Sequence, residues 1–156
     1  MRKSLTERYE SSYFTKVTLR QIYEIVLQTC PAFEEIFLSS DDKDLPYSIA
    51  GDFAEYIVAL YKEASNNPKV KPPLQKELRN ISALIHCLIK HPDEKVSEWA
   101  VIGILEGIQF RLTGSDDLDK FSKILTSQTS LWWDSLNKFW NKEIPFVGSD
   151  IDMSKS

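Results

Sequence analysis

The stretch from about Asp93 to Leu112 constrains this chain more than any other. Placed on a helical wheel, its apolar side chains, Trp99, Ile102, Ile104, Leu105, Ile108 and Phe110 among them, cover most of the circumference. A helix that is apolar nearly all round cannot sit on a surface. It has to be wrapped by other helices. Gly103 and Gly107 are four residues apart inside this pattern. They superpose on one face and form a notch that lets a neighbouring helix approach closely. A phosphate-binding role for them is disfavoured, because neither lies in a strand-to-helix turn.

The rest of the chain supplies the wrapping. Thr18 reads as an N-cap with Gln21 as its capping-box partner and Val17 and Ile22 as the staple. That helix ends at Pro31, which suits the first position of a short second helix through Phe37. A third helix is expected over about 46–64, a fourth over about 72–90, a sixth over about 116–125 and a seventh over about 130–142. Apolar residues recur at three and four in these segments. No hairpin signal appears. With only 5 glycines and 7 prolines in 156 residues, a turn-dense β-sandwich is disfavoured. The expected fold is therefore all-α, a single-domain bundle of about six to seven helices around the central apolar helix at 93–112. Residues 1–17 form an N-terminal segment, 18–142 the helical domain and 143–156 an extended or frayed tail.

Several chemistries find no constellation. The sequence has no P-loop, no nucleophile elbow, no dinucleotide fingerprint and no His-Glu-x-x-His. His86 and His91 are five apart and diverge around the helix axis, and both are read as structural, His91 as a cationic helix end. Cys30 and Cys87 are read as two buried free thiols in a reducing cytosol. The acidic runs at 41–44 and 116–119 lack the glycine and glutamate of a calcium loop and suit helix N-termini. No metal and no cofactor is expected, nor is an enzyme. An enzyme with a carboxylate-bound metal is the weakest of three readings.

Charge is the more informative feature. The net charge is −4 and the pI near 5.2, whereas a generic nucleic-acid binder leans basic. No apolar run is long enough to span a membrane, and the charged N-terminus leads into no apolar core of a secretory signal. The expected location is cytoplasmic, with neither nucleic acid nor membrane as partner. The average conceals a polarity. Residues 24–55 carry eight acidic side chains, Glu24, Glu34, Glu35, Asp41, Asp42, Asp44, Asp52 and Glu55, against Lys43 alone. Such a patch attracts a basic partner and speeds its encounter. Glu106 interrupts the apolar wheel of the central helix. It is either a buried pair that fixes packing or a recognition residue in a groove. In Leu131 to Trp140, one arc holds Trp132, Trp133, Leu136, Phe139 and Trp140. Trp133 lies at its edge and is expected to be an exposed interface anchor.

Gly51-Asp-Phe-Ala-Glu-Tyr-Ile-Val-Ala-Leu-Tyr61, Val101-Ile-Gly-Ile-Leu-Glu-Gly107 and the tryptophan-rich Leu131–Trp140 carry a family likeness. Together they resemble a bacterial all-helical domain family of unknown function, over about 18–142, with a departure from its pattern at Gly107. Small acidic proteins of this kind look like immunity proteins of contact-dependent inhibition and other polymorphic toxin systems. The resemblance implies a cognate toxin as partner, basic and often a nuclease, neutralised by occlusion. Asp52, Glu55 and Glu106 fall on the stretches that carry it. A helical adaptor without a toxin partner is the alternative. Whether the protein dimerises is open.

Overall fold

A computed structural model of the chain describes residues 16–41, 43, 45–69 and 71–151. Among these residues there are seven helices and no strand. They are α1 (Lys16–Thr29), α2 (Glu34–Ser39, entered through a 3-10 turn at Pro31–Phe33), α3 (Pro46–Asn66), α4 (Lys71–Ile89), α5 (94–112), α6 (Asp117–Ser122) and α7 (Ser127–Trp140). The bundle expected from periodicity is the bundle found.

The ends of the elements show why they start and stop. Pro31 and Pro46 each stand in the first turn of a helix, where their missing N–H costs nothing. Asp93 caps α5 by accepting from the Lys95 N–H at 3.0 Å, and Thr126 caps α7 by accepting from Thr129 at 3.2 Å. Lys142 ends α7 in the left-handed region at φ 62°. The Glu143 N–H returns to Lys138 O and the Lys142 N–H to Phe139 O, so the last carbonyls are satisfied.

Three local expectations are corrected. Helix α1 begins at Lys16, so Thr18 lies inside it and is not its N-cap. Of the two thiols only Cys30 is buried. Cys87 points outward, because it falls beside the Leu78–Ile81–Leu84–Ile85–Leu88 stripe of α4 rather than on it. His91 lies beyond the end of α4 and accepts the Asp93 N–H at Nδ1, 3.0 Å away, instead of serving as a cationic helix end.

At the centre, α3 and α5 run in the same direction and approach closely. A Cβ added to Gly103 would lie 2.6 Å from Ala50 Cβ, and one on Gly107 would lie 2.9 Å from Ala54 Cβ. The notch read from the two glycines is filled by two alanines one turn apart. Trp99 is fully buried beneath it and donates from Nε1 to the Pro46 carbonyl at 2.7 Å, which locks the start of α3 to α5. Helix α4 covers the other flank of α3. There Tyr56 donates to Glu77, and burial with the nearby Glu77 charge pushes the Cys30 thiol up to about 12.

The segment after α7 is not frayed. Residues 143–151 fold back over α7 as a strap, with Val147 buried in the core and Gly148 (φ 91°) so close to the Trp132 ring that an added Cβ would lie 2.7 Å from it. Ser135 fastens the strap by donating to Asp150 at 2.7 Å and accepting the Gly148 N–H at 2.6 Å. Lys138 adds an ion pair to Asp150 at 3.0 Å.

Candidate functional site

The helix α5 is not uniform. Glu94–Glu98 and Glu106–Leu112 are α-helical, but Trp99–Leu105 is a π-helical segment whose last bond runs from the Glu106 N–H to Val101 O. Such i→i−5 insertions widen the turn and concentrate at functional sites. The insertion ends at Glu106, the one charged residue on the apolar part of the helix.

On that side α5 is not wrapped. Ile102 and Glu106 are half-buried and Phe110 is 79 % exposed, a row at intervals of four that climbs out of the core. The row lines a groove of about 870 Å³. Tyr47 and Gly51 of α3 form one wall. Leu118 and Asp119 of α6 also line it, as do Asn137, Trp140 and Asn141 at the end of α7. Trp140 is 56 % exposed, so Phe110 and Trp140 give the groove an aromatic rim. Arg111 also reaches the lining, with its guanidinium donating to the Gly107 carbonyl at 2.9 Å. Gln109 is 4 % exposed and donates to Trp133 O at 2.9 Å, but its Oε1 has no hydrogen-bond partner among the described residues. The cavity falls in the size range of ligand and peptide sites, apolar in the main with a few convergent polar groups.

The residues singled out from sequence divide into two places. Glu106 lines the groove. Glu34 and Glu35 are exposed on α2, Asp41 is exposed in the loop after it, and Glu55 is exposed on α3. Asp52 is half-buried on α3 and engaged with its surroundings. Asp42 and Asp44 lie outside the described residues. The expectation for Trp133 is overturned. It is 1 % exposed and stacks on Phe121 at 5.5 Å between centroids. The strap covers the Trp132–Ser135 side of α7, so the buried arc is centred on Trp133 and Leu136 and the uncovered tryptophan is Trp140.

Three groove residues escaped the sequence reading. Phe110 was absorbed into the apolar wheel, although a carboxylate four residues before it marks that row as open. Trp140 was placed inside the packed arc. Gly51 was read only as part of a motif, although a glycine inside α3 needs a reason of its own. Among the described residues, no group of three or more His, Cys, Asp or Glu side chains converges as a metal site. No helix among them is long and apolar enough to cross a membrane.

Fold and site together define, among the described residues, an all-helical domain with an aromatic-rimmed groove at a π-to-α junction. Residues 23–141 match a family model described as a domain of unknown function (DUF7674), and the chain belongs to that family. No curated protein and no solved structure matches the chain.

Proposed function

We propose that the protein is an immunity- or inhibitor-type binding protein. It docks on a cognate toxin domain in the bacterial cytoplasm and neutralises it by covering the active site. The observation that carries this reading is helix α2. None of its residues is fully buried, and it turns Glu34, Glu35, Ile36 and Leu38 to solvent, Leu38 being 61 % exposed. Such a helix adds little to the core, while its acidic and apolar side chains suit a basic partner with an apolar centre. Asp41 extends the acidic face into the next loop, and the wider segment 24–55 supplies long-range attraction.

The test is co-expression with the domain encoded directly upstream of this gene. That domain should arrest growth alone and be tolerated in the presence of this chain, and the purified pair should associate in equimolar amounts. The triple variant Glu34→Lys, Glu35→Lys, Asp41→Lys should slow association at low salt and flatten its salt dependence. A non-toxic neighbour, or growth arrest that this chain does not relieve, overturns the reading. The groove favours a second reading, a protein-binding adaptor, since an aromatic-rimmed cleft serves any partner. A gene neighbourhood without a toxin would select it.

A further inference from the structure

Helix α2 is held to the body by very little. Of its six residues only Phe37 is not exposed. The turn before it is anchored by the fully buried Phe33, but a helix this short does not keep its form or direction on propensity alone. Its far end is held by a lysine. Lys43 is half-buried and is the lone basic residue of the acidic segment 24–55. Its ammonium turns back on α2. Nζ donates to Leu38 O at 3.1 Å and to Ser40 O at 2.9 Å, carbonyls at the end of the helix, where a cation also complements the helix dipole. The same ammonium lies over the Phe37 ring, 5.8 Å from its centroid. Phe37 meets Tyr23 of α1 edge-on at 5.0 Å, and the Tyr23 hydroxyl donates to Lys43 O at 3.0 Å. Three contacts thus close a ring from α1 through α2 to the loop and back.

The ring fixes one rotation of α2 about Phe37, so that Glu34, Glu35 and Leu38 are presented together. It also engages the one positive charge of the segment with carbonyl oxygens at the end of α2. Given the reading of α2 as the docking helix, on which this inference rests, we propose that Lys43 is a positioning residue. It clasps α2 in the orientation the partner receives and supplies no attraction to that partner itself. The clasp and a plain surface cation differ in sign. A plain cation in an acidic face repels a basic partner, and its loss tightens binding. Loss of the clasp lets α2 sample other orientations that must be given up on docking, so binding weakens.

The test uses the full chain as Lys43→Met, which keeps the stem and removes the ammonium, with Lys43→Arg as the conservative variant. In the free chain, amide hydrogen exchange at residues 37–40 should rise about fivefold in Lys43→Met, the size of a helix-end cation and its hydrogen bonds, with α3, α5 and the Tm unchanged. Against the purified domain encoded directly upstream, Lys43→Met should dissociate about fivefold faster while associating at low salt as fast as the wild type or faster. Lys43→Arg should restore both, since a guanidinium also reaches two carbonyls. Tyr23→Phe opens the same ring without a change of charge and should raise exchange and dissociation in the same direction. Unchanged exchange in Lys43→Met overturns the clasp. Faster exchange with unchanged or slower dissociation overturns the positioning role and leaves the toxin reading standing. A wild-type chain that does not bind the upstream domain overturns that reading and the binding role of Lys43 with it, and exchange alone then decides the clasp.

Discussion

The two sides of α5 are built to opposite standards. On one side Trp99, Ile104 and Ile108 are fully buried, and at Gly103 and Gly107, which also border the groove, Ala50 and Ala54 of α3 leave no room for one added methyl group. On the other, Ile102, Glu106 and Phe110 face a groove of about 870 Å³. One helix carries both, and the π-helical segment Trp99–Leu105 spans the place where they part. Density on one side holds the helix still, so that the other can remain unfilled without the bundle collapsing into it.

The largest expected effect comes from truncating an aromatic on each side. Trp99→Ala removes a fully buried ring and the bond from its Nε1 to Pro46 O, and should cost about 3–5 kcal/mol. Phe110→Ala, eleven residues on, removes a ring that is 79 % exposed and should change stability by less than about 0.5 kcal/mol. Chemical denaturation of both variants measures the contrast. Comparable losses would mean that Phe110 packs and that the groove is part of the core.

Glycine sharpens the same contrast. Gly103→Ala gains helix propensity but drives a methyl to 2.6 Å from Ala50 Cβ, a backbone-borne atom that cannot swing aside. The clash outweighs the propensity, and a net loss of about 1–2 kcal/mol is expected. Gly51→Ala makes the same chemical change over open space and should stabilise by about 0.5–1 kcal/mol. Opposite signs for one substitution on two facing helices would locate the seal and the opening without reference to any ligand. A destabilising Gly51→Ala would mean that α3 is not open to the groove there.

These contrasts also explain what could be read from the sequence. Helix number, order and the Gly103–Gly107 notch were legible, because buried stripes repeat with the helical period. The exposures of Phe110 and Trp140 were not. A wheel assigns direction from composition, and an aromatic on an apolar arc reads as core whether or not a neighbour covers it. The neighbour that settles α7 is the strap at 143–151, which has no periodicity. It covers part of Trp132 and buries Ser135, while Trp133 is buried against Phe121 and Trp140 is left outside. The π-helical segment was equally silent, since a wheel drawn at a constant angle per residue assumes it away. Glu106 is the exception: a charge inside an apolar row is visible in any register, and it alone of the seven described candidate residues lines the groove.

The strap extends the comparison to α7, which is sealed by a polar fastening rather than by close packing. Asp150 accepts from Ser135 and pairs with Lys138, and these bonds hold its carboxyl below the usual carboxylate range, the Ser135 bond contributing most. A carboxyl depressed on folding stabilises the native state at pH values above its unfolded pKa of about 3.9, and that contribution is lost as pH falls through the lower folded value. Acidification should therefore loosen the strap before the glycine–alanine seam, whose closest contacts are between Cα and methyl groups. Loosening would be read from the fluorescence of Trp132 beneath Gly148 and from the Gly148 amide shift, and Asp150→Asn should remove the pH dependence of both. The effect on global stability should be small, because Asp150 and Lys138 both remain in contact with solvent. If the strap signals held steady through the carboxylate range while the Trp99 environment changed, the polar fastening would be the firmer of the two seals. The order of strength inferred for the two sides of the molecule would then be reversed.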